Sequence, residues 1–489
     1  MQGKKDHQEK LFIQFQLSNY VPVDNFYRRL KKILNLDFLY QSTSEYYGKE
    51  GQKSIDPVIF MKLMLVGYLE NLDSDRKIIS ITRMRMDILY FLGYNLDEAL
   101  PWHSTLSRTR KLYGEEQFID LFKRVLKLCI DAGLICGKRQ AVDSALVQAN
   151  ASKSNMVERQ VMEDVFVYSR ELDANSEEVP VEKPKKTKDQ PKDKGKKKPF
   201  SNQTHYSPSD PDARLTKKPG KPFDLYYKSQ VSVDTDSHFI TSIQAFPANA
   251  ADNVSLPDVL GHVTENMQEN NIRVKEILAD AAYSSGEALR ALTSHNLRGY
   301  IPNPGNYKSR REGFTYDAEN DWYTCQNGAH LTFKGIRSSY KKVSTQKRWY
   351  QSNFKDCKEC PFRDNCIGKA GIKVITDSVD KPLYDQMQQI MESPNAKRMV
   401  RLRSATVEPV LGSLINYTGM KRINAKGIKQ ANKCMTMAAV AYNLKKLLKY
   451  RPRLIQSNAK RLEKSVKMFI NNRLARLMQL SATHFTLQF

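Results

Sequence analysis

Apolar residues recur at helical spacing along the first part of the chain. Asp56 and Pro57 have the pattern of an N-cap and a first-turn proline, and they open the apolar stretch Val58–Leu72. Further helices are predicted from Ser74 to Leu92, from Ser104 onward, and over Glu115–Ala132. Because the predicted turns are short, residues 1–135 are expected to form a helical bundle.

The pattern changes after residue 135 to short segments rich in β-branched residues, which is typical of strands. The predicted strands are Arg139–Asn150, Leu225–Asp234, Phe239–Phe246 and Val274–Asp280, followed by helices over Leu256–Glu269 and Ser285–His295. This order predicts an α/β fold in which a mixed sheet is flanked by helices. Its two parts would be residues 136–300 and 393–450. Glu408 before Pro409 predicts a helix start, and a later helix is expected over about Ala425–Tyr450.

Three segments differ from this pattern. Residues 173–222 are rich in Lys, Pro, Asp and Gly and have little to bury, so a disordered basic linker is predicted. Residues 301–392 form a predicted insertion that holds four of the cysteines. Residues 451–489 are expected to form a basic helical tail.

The charge of the chain favours a polyanionic partner. Lys and Arg number 78 against 53 for Asp and Glu, a formal net charge of +25. Release of counterions from phosphates makes such a surplus favourable for nucleic-acid binding, although high net charge also serves solubility. No apolar run is long enough to span a bilayer. With only seven cysteines, a reducing, cytoplasmic location is expected, with no membrane partner.

Three carboxylates could hold metal ions. Asp143 stands within the apolar strand AVDSALV, Asp280 ends the strand EILAD, and Glu408 lies in ATVEPVLGSL. A charged residue in a buried strand is costly unless it is paired or binds a metal. Two divalent ions about 4 Å apart suffice for phosphodiester cleavage, and Mg²⁺ prefers oxygen ligands. Taken singly, each acid could equally be an edge-strand residue or a helix cap.

The sequence around these acids resembles that of the DDE transposases of bacterial insertion sequences. The matching motifs are VDSALVQANAS, LADAAYSS and RLRSATVEPVLGSLINYTGMKR, together with SDRKII, LPWHSTLSRTR, SPSDPDARLTKKPGKP, AYNLKKLLK and the cysteine cluster. They extend over residues from about 15 to 450. The resemblance implies a ribonuclease H-like catalytic core with a helical N-terminal DNA-binding domain. It also implies that Asp143, Asp280 and Glu408 are the catalytic triad that binds Mg²⁺ or Mn²⁺.

Several cations are candidates for DNA contacts. The resemblance implies that Arg403 helps to contact phosphate. Some relatives have a Lys seven residues after the Glu, where this chain has Ile415, and the nearest later cations are Lys421 and Arg422. The helix from Ser104 either enters a DNA groove in helix-turn-helix fashion or presents a solvated face. The remaining candidates are Arg108 and Arg110 on that helix, and Lys426, Lys429 and Lys433, whose spacing predicts one helix face.

Four cysteines have spacing that suits structural Zn²⁺. Cys357 and Cys360 form a C-x2-C pair, Cys366 follows, and Cys325 lies about thirty residues earlier. Reduced thiols without metal are the alternative, and His330 is a candidate substitute ligand.

The resulting prediction is an enzyme that binds the double-stranded ends of an insertion sequence and catalyses metal-dependent strand cleavage and strand transfer, as a homodimer on DNA. Two alternatives stay open at this point. One is a transposase-derived DNA-binding protein without catalytic activity, and the other is a ribonuclease H-like nuclease without strand transfer.

Overall fold

The structure, a computed structural model, describes residues 15–48, 50, 54–159, 201–305, 307–339 and 342–450. The chain divides into two units. The first contains the described residues up to Ile135, Asn416–Met420 and the described residues from Thr436 onward. The second contains the described residues of Cys136–Ile415 and Lys421–Met435.

The first unit is helical, as the apolar spacing predicts. Its helices are α1 (Leu17–Tyr20), α2 (Phe26–Ile33), α3 (Phe38–Ser42), α4 (Pro57–Leu69), α5 (Asp75–Met84), α6 (Met86–Leu92), α7 (His103–Leu112) and α8 (Glu116–Asp131). The second half of a helix over 428–450 also belongs to it. Asp56 caps α4 by accepting hydrogen bonds from the backbone N–H groups of Val58 and Ile59, with Pro57 in the first turn.

The prediction of a single helix from Ser74 to Leu92 is wrong, because the helix is interrupted at Arg85. That residue has an extended backbone between α5 and α6. Its guanidinium pairs with Asp87 at 2.7 Å and with Glu70 at 3.5 Å. Two ion pairs at the junction, which apolar spacing does not reveal, favour the break over a continuous helix.

The second unit is built on a mixed sheet. Its strands are β1 (Arg139–Gln148), β4 (Arg214–Thr216), β5 (Asp224–Asp234), β6 (Ile240–Pro247), β7 (Glu276–Leu278) and β8 (Arg298–Tyr300), and a separate two-stranded ladder joins β2 (Val157–Glu158) to β3 (His205–Tyr206). The helices beside the sheet are α9 (Asp252–Gln268), α10 (Gly286–Ser294), α13 (Lys381–Glu392), α14 (Pro394–Tyr417) and the first half of α15 (428–450).

The strand order is β6–β5–β1–β7–β8, with β4 paired to the first residues of β5. Strand β5 runs antiparallel to both of its neighbours, β1 and β6, whereas β7 and β8 run parallel to β1. Helix α9 packs on β5 and β6, and α10 and α13 pack on β8. The predicted α/β fold, a mixed sheet flanked by helices, is confirmed.

Part of the predicted linker is folded. Residues 201–222 contribute β3 and β4, while residues 173–200 lie outside the described residues. Asp210 is fully buried and accepts a hydrogen bond from the Tyr227 hydroxyl. Asp212 accepts one at 2.9 Å from the backbone N–H of Ile428, where α15 begins. The disorder prediction fails here because these two aspartates bind groups that are distant in sequence.

The helix start predicted at Glu408 is also wrong. Glu408 and Pro409 lie inside the long helix α14. A proline in a helix interior removes one backbone hydrogen bond and crowds the preceding turn. The helix continues because its neighbours Val407, Val410 and Leu411 are buried, and this burial outweighs the local cost.

The insertion at 301–392 contains a second sheet. Its antiparallel strands are β9 (Phe314–Asp317), β10 (Trp322–Cys325), β11 (His330–Ser339), β12 (Lys342–Gln351) and β13 (Val374–Ser378), ordered β13–β12–β11–β10–β9, and short helices α11 (Phe354–Lys358) and α12 (Arg363–Cys366) follow β12. A small core of Tyr323, Leu331, Tyr350 and Ile375 holds this sheet together.

The helical tail predicted for 451–489 lies outside the described residues. Within the described part of the chain, no helix combines the length and the apolar character needed to cross a bilayer.

Candidate active site

Asp143 lies in the middle of β1, the central strand of the mixed sheet. Its side chain is 18% exposed. One carboxylate oxygen accepts a hydrogen bond from the backbone N–H of Ser144 at 2.7 Å, and the other accepts one from Nη1 of Arg403 at 2.7 Å. The predicted buried acid therefore has a cationic partner, which offsets part of the cost of burying its charge.

Asp280 lies just after the end of the neighbouring parallel strand β7. Ala141 of β1 pairs with Leu278, the last residue of β7; Asp143 follows Ala141 by two residues within β1, and Asp280 follows Leu278 by two residues beyond the strand end. Since side chains two apart share a face of a strand, the register directs both acids to the same region. Asp280 also caps a 3₁₀ turn, Ala281–Tyr283, by accepting a hydrogen bond from the backbone N–H of Ala282 at 2.9 Å.

The two acids influence each other electrostatically. Burial raises the pKa of the Asp143 carboxyl, and the negative charge of Asp280 adds to the rise. The Ser144 N–H and the Arg403 guanidinium oppose it. Two neighbouring carboxylates in a partly buried site favour binding of a divalent cation, which would neutralise both.

Glu408 is linked to Asp143 by a shared contact with Arg403. Both residues lie on α14, and Nη2 of Arg403 is 3.9 Å from a carboxylate oxygen of Glu408. Arg403 is 13% exposed, whereas the Glu408 side chain is 63% exposed. The same guanidinium thus faces both Asp143 and Glu408.

The donor chemistry suits a hard divalent cation, because all three side chains are carboxylates. Among the described residues, however, no three His, Cys, Asp or Glu side chains are grouped closely enough to hold a metal ion together. Asp143 is close enough to Asp280 to experience its charge, and the described contacts link it to Glu408 through Arg403.

A buried hydrogen-bond network lies next to the acids, and the sequence pattern does not identify it. The fully buried Tyr283 donates from its hydroxyl to Oε1 of Gln230 at 2.5 Å. Nε2 of Gln230 donates to Asp252 at 2.8 Å, and Asp252 pairs with the buried Lys228 at 3.1 Å. Burial raises the pKa of Tyr283 well above its usual range, with the charges of Asp252, Asp143 and Asp280 adding to it. The position of Tyr283 three residues after Asp280 is the one feature in the sequence that suggests this network.

The two arginines predicted on the third helix differ in exposure. Arg108 is exposed on α7. Arg110 is buried and pairs with Asp75 at 2.5 Å, with its guanidinium also against Met64. The position of Arg110 argues against a phosphate contact, because a buried ion pair would have to break first.

The later cations form an exposed group around residues 421–429. The backbone of Lys421 and Ile423 hydrogen-bonds to Gln148 at the end of β1. The exposed side chains there are those of Lys421, Arg422, Lys426 and Lys429. The single lysine face predicted from spacing is wrong: Lys426 precedes α15, and Lys433 is buried on it at 4% exposure.

The four cysteines proposed for zinc are free, half-buried thiols. Cys325 ends β10, Cys357 lies on α11, and Cys366 ends α12. Sγ of Cys357 lies 3.1 Å from the hydroxyl of Ser352. His330 is hydrogen-bonded through its ring to Thr324 at 3.2 Å. The zinc prediction is not tested by these contacts.

Comparison with protein families agrees with the geometry. A model described as a transposase domain (DUF772) matches residues 15–112. A model described as a transposase DDE domain matches residues 324–448, which include Arg403 and Glu408. Both matches support a DDE transposase of the insertion-sequence type. The first match falls on the helical unit, and the second extends from Thr324 in the insertion through α14 into α15.

Solved structures show only distant similarity to the transposase. One is a cryo-EM structure of the piggyBac transposase synaptic complex with hairpin DNA, with 12% identity, coverage of 88% of this chain and 84% of that chain, and a TM-score of 0.25. Another is the Mos1 transposase paired-end complex with the left transposon end, with 10% identity, coverage of 56% and 70%, and a TM-score of 0.17. A search of curated proteins found no match.

Proposed function

We propose that this transposase cleaves DNA at the ends of its element and joins the freed 3′ hydroxyl to target DNA, using divalent ions bound by Asp143, Asp280 and Glu408. The observation that carries the proposal is the register of the parallel neighbours β1 and β7, since Asp143 follows Ala141 by two residues and Asp280 follows its partner Leu278 by two. Arg403, within reach of both Asp143 and Glu408, links the third acid to them.

The chemistry consists of two substitutions at phosphorus. In cleavage, water adds to phosphorus and the 3′ oxygen leaves, so the products are a 5′ phosphate and a 3′ hydroxyl. In joining, that hydroxyl oxygen attacks a target phosphorus and a target 3′ oxygen leaves, so one phosphodiester replaces another. Divalent ions, Mg²⁺ or Mn²⁺, supply neutralisation of the phosphate oxygens and activation of the attacking oxygen.

The protein's own residues position the groups. Arg403 and the N–H of Ser144 fix the two oxygens of the Asp143 carboxylate. The hydrogen bond from Ala282 fixes that of Asp280. When metal ions occupy the carboxylates, Arg403 becomes available to a phosphate oxygen, with which a guanidinium forms strong bidentate hydrogen bonds.

The proposed partner is double-stranded DNA, both element ends and target. The formal net charge of +25 favours it. The exposed cations Lys421, Arg422, Lys426 and Lys429 are proposed phosphate contacts in the catalytic unit, and Arg108 in the helical unit. Since two ends are processed in one event, we expect a homodimer on DNA.

A structural Zn²⁺ ion bound by Cys325, Cys357, Cys360 and Cys366 is a separate part of the proposal. The test is the zinc content of the purified protein, expected to be about one ion per chain. Replacement of Cys360 by Ser should abolish it, whereas replacement of the buried Cys434 should not. Equal zinc content in the wild type and Cys360→Ser would contradict the assignment.

Cleavage of labelled DNA that carries the element's own ends tests the catalytic proposal. Wild type should cut with Mg²⁺ or Mn²⁺ and then join the 3′ end, while Asp143→Asn, Asp280→Asn and Glu408→Gln should bind DNA without cutting. Cleavage without joining would indicate a nuclease. DNA binding by a folded wild type with no cleavage would indicate an inactive DNA-binding descendant.

A further inference from the structure

The hairpin formed by β11 and β12 extends beyond the rest of the insertion sheet. On one side, β10 pairs with β11 only from His330 to Thr332. On the other side, β13 pairs with β12 only from Lys347 to Gln351. Residues 333–339 of β11 therefore pair only with β12, whereas β12 pairs with both β11 and β13 from Lys347 onward. Residues 333–339 and 342–347 are called the ribbon below.

The described side chains of the ribbon are mostly exposed. Lys334, Ile336, Arg337 and Lys347 are all exposed, with Ile336 at 53%. A bulge lies between Phe333 and Gly335, where Gly335 has a φ of +145°. Bulges increase the twist of a two-stranded ribbon, and the exposed side chains of this one present a surface for a partner.

The charge of the ribbon is entirely positive. The sequence from Leu331 to Gln351 contains six Lys and Arg residues and no Asp or Glu. In the β11–β12 register, Arg337 stands directly opposite Lys347. Like charges at opposite positions destabilise a strand pair, so this pair costs stability unless an external anion lies against it.

Contacts within the protein leave these cations available. The Arg337 guanidinium stacks on the Trp349 ring, 3.3 Å from its centroid. Among the described residues, no carboxylate forms an ion pair with Lys334, Arg337 or Lys347, whereas the next cation, Arg348, pairs with Asp321. Stacking fixes the direction of a guanidinium without neutralising it.

We propose that the ribbon binds duplex DNA, with Lys334, Arg337 and Lys347 contacting backbone phosphates and Ile336 projecting between them. The major groove of B-form DNA admits a two-stranded β-ribbon. A second copy of the chain is disfavoured as the occupant because it carries the same strong positive charge. This inference rests on the proposed function, to which it adds a DNA-contacting element separate from the triad.

The test compares two triple variants of the full chain with equal loss of charge. The ribbon variant carries Lys334→Gln, Arg337→Gln and Lys347→Gln. The control carries Lys355→Gln, Lys358→Gln and Lys369→Gln, at exposed positions of the same insertion but outside the ribbon. Binding to a fluorescent duplex of the element end is measured over a range of salt concentrations in Mg²⁺-free buffer, after thermal denaturation has shown that both variants are folded.

The ribbon variant should bind about ten-fold more weakly at 0.1 M salt, and its slope of log affinity against log salt should decrease by about 2 to 3, roughly 0.9 for each lost phosphate contact. The control should bind like wild type. Equal affinity of the two variants would overturn the inference, as would loss of self-association with DNA affinity unchanged.

DNA cleavage by wild type is measured in parallel. It distinguishes failure of the ribbon inference from failure of the proposed transposase activity. If wild type cuts DNA and the ribbon variant binds as tightly as the control, the ribbon inference alone fails. If wild type neither binds nor cuts, the proposed function fails together with it.

Discussion

The guanidinium of Arg403 donates a hydrogen bond of 2.7 Å to the carboxylate of Asp143, 260 residues earlier in the chain. This bond joins helix α14 to the central strand of the catalytic sheet. The same guanidinium lies 3.9 Å from Glu408. Arg403 therefore contacts two of the three proposed metal ligands, and a metal ion bound by them would compete with its guanidinium.

Replacement of Arg403 by Gln should have opposite effects on metal binding and on cleavage. Removing a positive charge next to Asp143 should tighten Mn²⁺ binding several-fold, on the order of 1 kcal/mol. DNA cleavage should fall, because the phosphate loses a bidentate donor. The measurements are a Mn²⁺ titration and the cleavage rate. Arg401 is an exposed neighbour on the same helix, so Arg401→Gln should change neither the Mn²⁺ affinity nor the cleavage rate. Weaker Mn²⁺ binding by Arg403→Gln would contradict competition between Arg403 and the metal ion.

Tyr283→Phe should destabilise the protein without removing a ring from the core. The change deletes the hydroxyl that donates to Gln230 and leaves a buried acceptor unpaired, at a cost of about 1–3 kcal/mol. The free energy of unfolding in urea is the measurement. Tyr206→Phe, at a half-buried tyrosine of the same unit, should stay within about 0.5 kcal/mol of wild type. Similar values for the two variants would show that the network next to the acids contributes little.

Two substitutions on α7, Arg110→Met and Arg108→Met, should differ in their effect on stability. Loss of Arg110 leaves Asp75 without its partner in a mostly buried site, which costs about 3–5 kcal/mol. Loss of the exposed Arg108 should cost less than about 0.5 kcal/mol and should weaken DNA binding if α7 enters a groove. Thermal denaturation and DNA titration of both variants provide the comparison. An unchanged melting temperature for Arg110→Met would refute the assigned role of its ion pair.

Pro409→Ala should stabilise the helix that carries Glu408. Alanine restores the backbone N–H that α14 lacks at this position, a gain of about 1–3 kcal/mol. Pro394→Ala is the matched control, because Pro394 is the first residue of the same helix and a proline is well tolerated there. Chemical denaturation of the two variants checks the expectation, and destabilisation by Pro409→Ala would mean that the proline shape is needed.

The sequence predicts the fold well wherever local pattern decides the structure. Asp56 and Pro57 identify the start of α4, and the β-branched segment around Asp143 identifies the central strand. Prediction fails where distant residues decide. Asp210 and Asp212 fold a segment whose composition suggests disorder, because their partners Tyr227 and Ile428 lie elsewhere in the chain.

In the candidate site, too, the residues can be predicted from local sequence, whereas their contacts depend on distant parts of the chain. The triad and Arg403 are inferred from sequence motifs, but the contact between Arg403 and Asp143 depends on the packing of α14. The burial of Arg110 and Lys433 could not be inferred, because helical spacing alone does not specify which face of α7 or α15 is covered. Tyr283 was missed since its partner Gln230 is 53 residues away.

Mn²⁺ binding to the full chain without DNA tests most directly whether the three acids form the metal site. It is measured by titration calorimetry on wild type and on the variants Asp143→Asn, Asp280→Asn and Glu408→Gln. We expect wild type to bind Mn²⁺. In Asp143→Asn and Asp280→Asn the binding should be lost or weakened by about ten-fold or more, ~1.4 kcal/mol, with a smaller loss in the exposed Glu408→Gln. Unchanged Mn²⁺ affinity in both aspartate variants would contradict the assignment of these acids as the metal site.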